Sequence, residues 1–352
     1  MSKNRKIAIL GATGAVGQRF IQLLQGHPWF QIEVLAASER SAGKRYSQAC
    51  NWTMESNLPK EIAEMTVVET NLSEVEKAGD VDFVFSSLPG DLAGPVESEF
   101  AALYPVFSKA SAHRMDSDVP LLIPEVNPDH LALIPIQKRN RGWKGFISTD
   151  PNCSTIQLAI SLKPLMKFGP KRVMVTTMQA LSGAGYPGVP SLDIIDNVVP
   201  YIGKEEDKME SEPLKILGAF DGNTVNNADF QLSASCNRVH VKDGHLESVF
   251  VKLESDPSVK EVEETFAKFE GEPQKLKLPS APRHPIVVRN EPNRPQPRLD
   301  RDEGKGMSVV VGRVRKDPIM TLKYICLGHN TIRGAAGAGI LSAELAVSKG
   351  LA

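Results

Sequence analysis

Lys6-Ile7-Ala8-Ile9-Leu10-Gly11-Ala12-Thr13-Gly14-Ala15-Val16-Gly17 is the stretch on which the fold turns. A short apolar strand runs straight into a glycine-rich turn, and Phe20, Ile21, Leu23 and Leu24 then recur at helical spacing. Strand, turn and helix in that order are what a dinucleotide site requires. Glycines let the backbone approach a pyrophosphate, and the helix start turns N–H groups and the positive end of its dipole toward it. The spacing is GxxGxxG, a variant of the usual GxGxxG. A tight structural turn is the plainer reading of a bare glycine triplet; the flanking strand and helix favour a nucleotide.

Outward from that turn the alternation continues. Gln31 to Leu35 is a second strand, followed by Ser38-Glu39-Arg40-Ser41-Ala42-Gly43-Lys44. An acid here would bind the ribose 2′-hydroxyl of NAD, and Glu39 is available. Ser38, Arg40 and Ser41 suit a 2′-phosphate better, because hydroxyls and a guanidinium fork match phosphate oxygens. The loop therefore favours NADP over NAD, with a solvated charged loop as the bland alternative. Val81 to Gly90 reads as a strand with small residues at its C-terminal edge, Glu97 to Leu103 as a helix and Val106 to Ser108 as a strand. The fold class is α/β: a Rossmann-type doubly wound parallel sheet over residues 1–150, followed by an α+β domain over 151–329. The final segment, 330–352, is expected to return to the first domain beside the cofactor.

A chain of 352 residues is long enough for two cores. A hydrophobic fraction of 41% with 24% charged residues is ordinary for a soluble enzyme. The net charge of −1 gives no global pull toward nucleic acid or an anionic membrane. The cysteines at 50, 153, 236 and 326 have no CxxC pair and no metal-ligand spacing, so neither a metal site nor a disulfide framework is expected. No apolar run is long enough for a membrane span, and the N-terminal one is too short for a signal peptide. A reducing, cytoplasmic location follows as the expectation.

In the middle of the chain Trp143 to Thr149 is extended, and Asp150-Pro151-Asn152-Cys153-Ser154-Thr155 leads into an apolar helix over Ile156 to Leu165. Asn152, Ser154 or Thr155 can each cap that helix. Cys153 then sits at a helix N-terminus, where the dipole and free N–H groups favour a thiolate and an oxyanion. A small buried hydrophobe is the commoner fate of a lone cysteine.

Beyond it, Arg172 to Thr177 is a strand leading into the small-residue loop Gln179 to Gly188. Gly203 to Lys208 reads as an exposed charged loop and Glu210 to Leu217 as a helix. Glu212 and Lys215, three apart, share a face, and a solvated ion pair is the plain reading. Ser235 to Leu253 is strand-like, interrupted by Lys242-Asp243-Gly244. A two-residue hairpin at Asp243-Gly244 would leave Arg238 and His245 roughly 13 Å apart along the strands, too far to share one small substrate. Spacing does not choose between His240 and His245 as a base. Glu291 to Gly306 is a Pro-, Arg- and Asp-rich loop, a candidate subunit contact. Strands follow at Met307 to Val314 and Met320 to Leu327. His329 to Gly339 then opens a Gly/Ala-rich helix running to about Ser348.

In combination these segments resemble aspartate-semialdehyde dehydrogenases of the archaeal and fungal branch over essentially the whole chain. The carriers are GATGAVG at Gly11–Gly17, SERSAGK at Ser38–Lys44, ASAHRMDSDVPLLIPEVN at Ala110–Asn127 and DPNCST at Asp150–Thr155. QALSGAGYPG at Gln179–Gly188, Glu212 with Lys215, Arg238 with His245, and HNTIRGAAGAG at His329–Gly339 complete the set. The resemblance implies Cys153 as acylated nucleophile and His245 as general base. It implies Arg238, Glu212 and Gln179 on the amino acid, Lys215 and Arg114 on phosphate, and Asn152 orienting the acyl group or phosphate. Gly11, Thr13, Gly14, Ala15, Val16, Ser38, Arg40, Ser41, Ser86, Ser182, Gly183 and Asn330 match positions that contact NADP. It also implies a homodimer or a dimer of dimers built by the second domain. The chain departs from the resemblance twice: Asp150 and Lys109 stand where the family commonly has Asn.

Two other readings compete. A malonyl- or succinyl-CoA reductase shares this fold and an acyl-cysteine; Lys215 and Asn152 favour an acyl phosphate over it. A non-catalytic NADP-binding regulatory protein would share the fold alone, and the intact set Cys153, His245, Arg238 and Glu212 speaks against it.

Overall fold

The computed structural model describes residues 4–352. Its first sheet contains β1 (Arg5–Leu10), β2 (Phe30–Ala37), β3 (Val67–Glu69), β4 (Phe83–Ser86), β5 (Pro105–Ser108) and β6 (Phe146–Thr149). All neighbours pair in parallel, in the order β3-β2-β1-β4-β5-β6. The order reverses between β1 and β4, and open α/β sheets bind ligands at that switch point.

The glycine-rich turn lies there, and α1 (Ala15–Leu23) follows it. Gly11 has φ +77°, and a Cβ on it would stand 2.9 Å from the Ser87 carbonyl oxygen. A Cβ on Gly17 would stand 2.3 Å from the Gly11 carbonyl oxygen, so the helix can start this close to the strand only without a side chain there. The next helix, α2 (Gly90–Ala101), begins earlier than the expected Glu97, and Pro95 lies inside it. Ala93, Glu97 and Phe100 are buried at helical spacing, and this carries the helix past the proline.

The second sheet contains β7 (Pro170–Gln179), β8 (Gln231–Arg238), β9 (His245–Leu253), β10 (Ile286–Arg289), β11 (Val309–Lys316) and β12 (Leu322–Gly328). Their order is β8-β7-β9-β12-β11-β10, a mixed sheet. Two helices, α3 (Cys153–Leu162) and α4 (Glu205–Ile216), share its core: Ile156, Ile160, Met209 and Ile216 pack with Val173, Val175, Val249 and Val251.

The hairpin expected at Asp243-Gly244 does not form. β7 lies between β8 and β9, parallel to the first and antiparallel to the second. Arg238 is in register with Gln179, and Leu246 with Met178. Arg238 and His245 therefore flank one strand end, and the expected separation along a hairpin disappears.

The last helix, α5 (Gly337–Ser348), is buried from Gly337 to Val347. Its Ile340, Leu341 and Leu345 share the first sheet's core with Phe20, Phe85 and Phe107. A helix apolar all round needs partners on every side. Just before it, Arg333 grips Glu125, Nη1 to Oε1 at 2.9 Å and Nη2 to Oε2 at 2.5 Å, with both residues buried. Among the described residues no helix is long and apolar enough to cross a membrane.

Arg333→Ala strands the Glu125 carboxylate in the interior, which costs about 3–5 kcal/mol of stability. Urea unfolding of the full chain measures it; a loss under about 1 kcal/mol, the range of an exposed pair, would show that solvent replaces the guanidinium.

Candidate active site

Of the candidate caps, Asn152 is the one used. Its Oδ1 accepts from the backbone N–H of Ser154 at 2.9 Å and of Thr155 at 3.3 Å, while its Nδ2 donates to Glu205 Oε1 at 2.6 Å. The Oδ1 is thus spent on starting α3, while Nδ2 keeps a second N–H at a residue that lines the Cys153 cavity. Its backbone N–H donates to Glu212 Oε2 at 2.7 Å. Cys153 becomes the first residue of the helix, its Sγ 3.2 Å from His245 Nε2.

His245 is fully buried, and its Nδ1 accepts the Ala180 N–H at 2.9 Å. The neutral ring then carries its proton on Nε2 and points it at the sulfur. Burial, reinforced by Arg238 and His329, pushes its pKa down to about 3. The resting ring is therefore a donor toward the sulfur, where the resemblance implies a base.

Burial first, then Glu205, pushes the Cys153 thiol up to about 12, against the pull of Arg238, Arg114 and Lys109. The expected thiolate is thus not the resting form: desolvation outweighs the surrounding cations. The side chain is only half-buried and opens onto a cavity of about 370 Å³ lined also by Lys109, Arg114, Lys208, Gly183 and Asn330. Space there is tight. A Cβ on Gly183 would stand 2.8 Å from Arg238 Nη1 and 3.1 Å from the His245 ring, and one on Gly334 2.8 Å from Cys153 Cβ.

The expected substrate residues divide. Arg238 Nη1 donates to the Ala180 carbonyl at 2.7 Å, with no other hydrogen bond among the described residues. Gln179 Nε2 donates to Ser154 Oγ at 2.5 Å and Glu205 Oε1 at 3.0 Å, while its buried Oε1 has no partner. Arg114 Nη1 donates to Glu212 Oε1 at 2.9 Å and Nη2 to the Lys109 carbonyl at 2.8 Å, leaving Nε unpartnered.

Glu212 and Lys215 are not a solvated pair; both are buried. Lys215 Nζ donates to the carbonyls of Arg114 at 2.7 Å, Asp116 at 2.7 Å and Val119 at 2.9 Å. An ammonium has three protons, so none is left for phosphate in this arrangement. Burial pushes its pKa down to about 8. Lys215 braces the Arg114 loop.

Sequence reasoning missed Glu205. It was expected in an exposed loop, yet it is buried in the first turn of α4 and holds both Asn152 and Gln179. The signal was there: Glu205-Glu206-Asp207 ahead of a helical pattern is an acidic first turn.

On the cofactor side, Gly11, Thr13, Gly14 and Ser38 line a cavity of about 400 Å³ with Thr70, Ser87 and Leu88. Ala15, Val16, Ser182, Gly183 and Asn330 line the Cys153 cavity, and Leu88 borders both. Gly14 caps α1 without a side-chain bond, so the helix's first N–H groups face this cleft. The residues fit a dinucleotide lying from Ser38 to Cys153. Arg40 is exposed and Ser41 half-buried in the turn after β2. Asn330 Nδ2 donates to Ser182 Oγ at 2.7 Å, and its Oδ1 accepts the Gly244 N–H at 2.9 Å. Ser86 does not face the cleft: it is fully buried, with its hydroxyl on Glu97 Oε1 at 2.6 Å. Ser87 takes the rim in its place.

A dinucleotide cleft opening onto a cysteine–histidine pair is the site of a nicotinamide-dependent dehydrogenase. Comparison with known proteins makes this particular. Residues 6–134 match the family described as semialdehyde dehydrogenase, NAD binding domain, and residues 162–333 its dimerisation domain. The aspartate-semialdehyde dehydrogenase of Methanothermobacter thermautotrophicus is 56% identical, with 96% of this chain and 98% of that one aligned. The crystal structure of the Candida albicans aspartate-semialdehyde dehydrogenase with NADP superposes with a TM-score of 0.90 at 42% identity, covering 99% of each chain. A malonyl-CoA reductase (NADP) of Metallosphaera sedula is 44% identical, with 99% of each chain aligned. The chain belongs to the aspartate-semialdehyde dehydrogenase family.

With the thiol held near 12 and His245 near 3, iodoacetamide alkylation of Cys153 in the free protein should steepen with pH. The expected rise is about tenfold per pH unit from about 7 to 9, without a step near the ordinary histidine value of about 6.5. Peptide mass mapping follows it; a plateau below about pH 8 would reveal a thiolate already formed.

Proposed function

We propose that this chain catalyses the NADPH-dependent reductive dephosphorylation of L-4-aspartyl phosphate to L-aspartate 4-semialdehyde, feeding lysine, threonine and methionine biosynthesis. One contact carries the reading: Cys153 Sγ lies 3.2 Å from His245 Nε2, in a cavity that borders the Gly11–Gly14 cleft. The Cys153 sulfur gives up its proton and attacks the acyl carbon, the C–S bond forms, the bond to the phosphate oxygen breaks, and phosphate leaves carrying that proton. NADPH, when bound, supplies the hydride for the thioester carbon. Collapse of the resulting alkoxide on Cys153 releases the aldehyde and regenerates the thiolate. His245 Nε2–H donates to the sulfur and then to the alkoxide oxygen as charge moves between them.

The free edge of Arg238 suits the substrate α-carboxylate, since a fork matches a carboxylate bidentately. Gln179 Oε1, buried and unpartnered, and Glu205 beside it supply acceptors for the ammonium. Glu212, the acceptor expected, has both oxygens engaged by Arg114 and Asn152. Arg114, with Nε free, faces the departing phosphate.

We infer a homodimer or dimer of dimers. The support is the matched dimerisation domain and the exposed apolar side chains of Met174, Leu192, Ile195, Val198 and Tyr201. The free cysteines fit a reducing, cytoplasmic setting.

The acyl-CoA reading keeps one specific support, the Metallosphaera sedula relative. Against it stands Arg114, a cation that borders the cavity, whereas the protons of Lys215 are taken by carbonyls. Purified protein should reduce NADP with L-aspartate semialdehyde only when inorganic phosphate is present, and more efficiently than NAD. NADPH oxidation dependent on malonyl-CoA or succinyl-CoA, with no phosphate-dependent activity, would overturn the reading.

A further inference from the structure

We propose that Lys109, held in place by Asp150, is a second cation for the phosphate of the substrate, standing beside Arg114 at the Cys153 cavity. The proposal rests on the acyl-phosphate reading above and names a residue for it. The two departures noted in the sequence turn out to be two ends of one contact: Lys109 Nζ lies 3.2 Å from Asp150 Oδ2. Both side chains are buried, at 7% and 2% exposure. The atoms face each other as an ion pair but without hydrogen-bond alignment, so the ammonium keeps its donors. Asp150 is moored on its other oxygen, where Oδ1 accepts from Ser342 Oγ of α5 at 2.8 Å.

A buried ammonium with unclaimed protons is costly unless something uses them. Lys109 lines the Cys153 cavity together with Arg114, and Arg114 Nη2 donates to the Lys109 carbonyl, so the two cations are neighbours. Lys215, by contrast, has spent its protons on carbonyls and does not border that cavity. A phosphate leaving Cys153 toward Arg114 meets two lysines of the cavity lining: Lys208, whose Nζ is drawn to Glu205 Oε2 at 3.4 Å, and Lys109, the buried one beside Arg114, whose Nζ has no hydrogen bond. Asp150 then has two effects of opposite sign: it makes the buried ammonium tolerable, and it competes with phosphate for it.

The test compares wild type, Lys109→Asn, Asp150→Asn and the double variant in the phosphate-consuming direction, with inorganic phosphate as the probe. KM for phosphate should rise roughly tenfold in Lys109→Asn and in the double variant, the loss of one charge-assisted hydrogen bond. KM for semialdehyde and for NADP should move less than about twofold, well under the cost of a lost contact. In Asp150→Asn, KM for phosphate should stay level or fall. Phosphate protection of Cys153 against iodoacetamide should follow the same order, giving a readout apart from turnover. The double variant removes both buried charges, so its unfolding midpoint should match wild type. If it folds as wild type and keeps wild-type phosphate KM and protection, Lys109 is only a structural partner of Asp150 and the proposal falls. If both single variants weaken phosphate alike, a positional defect explains them and the proposal falls. A wild-type protein indifferent to phosphate in both assays would bring down the acyl-phosphate reading itself, and this proposal with it.

Discussion

The Glu212 carboxylate is where the site is tied together. One oxygen receives the Asn152 N–H, which sets the start of the Cys153 helix; the other receives Arg114, which sets the loop after β5. A buried carboxylate costs several kcal/mol unless it is paired and hydrogen-bonded, and here both conditions are met at once. Cys153 from one segment, the Arg114 guanidinium from another and the frame of α4 are thereby tied to one carboxylate. Lys215, one turn further along α4, fixes the far side of the Arg114 loop through its carbonyl bonds. Glu212 and Lys215 matter through what they hold, while Arg114 and Asn152 border the cavity itself.

Around the sulfur two opposing effects are balanced. Burial and Glu205 keep the proton on Cys153, while Arg238, Arg114 and Lys109 draw it off. A thiol held in this balance is a weak nucleophile, which protects it from adventitious chemistry. In the proposed reaction, a substrate ordered against Arg238 and Arg114 brings the electrophile to where these cations favour charge on sulfur. His245 fits the same logic. Its Nδ1 is taken by the Ala180 N–H, so its single proton stays on the side facing the sulfur.

Local pattern made the glycine turn, the NADP-binding half and Cys153 legible, because each depends on neighbours in sequence. Gly11 and Gly17 are needed by the backbone within their own turn, and Cys153 takes its position from Asn152 next to it. What failed was whatever depended on distant pairing. β7 between β8 and β9 is invisible from the Arg238–His245 spacing, since a hairpin and a crossover use the same turn residues. Glu205 and Lys215 read as solvated because charge at helical spacing usually is. Only the packing of α4 against the Asn152 and Arg114 segments buries them. Ser86 and Ser87 differ by one place on a strand end, and that one place decides which hydroxyl reaches the cleft.

The central claim is that the sulfur of Cys153 carries the acyl group between the departure of phosphate and the release of aldehyde. The direct measurement is intact-protein and peptide mass spectrometry, in acid-quenched samples, after mixing the protein with L-aspartate semialdehyde and NADP without phosphate. Oxidation then proceeds to the thioester and stops for want of an acceptor. The account predicts an aspartyl adduct on the Cys153 peptide that disappears when phosphate is added. An adduct on any other residue, or steady phosphate-dependent turnover with Cys153 never modified, would contradict it.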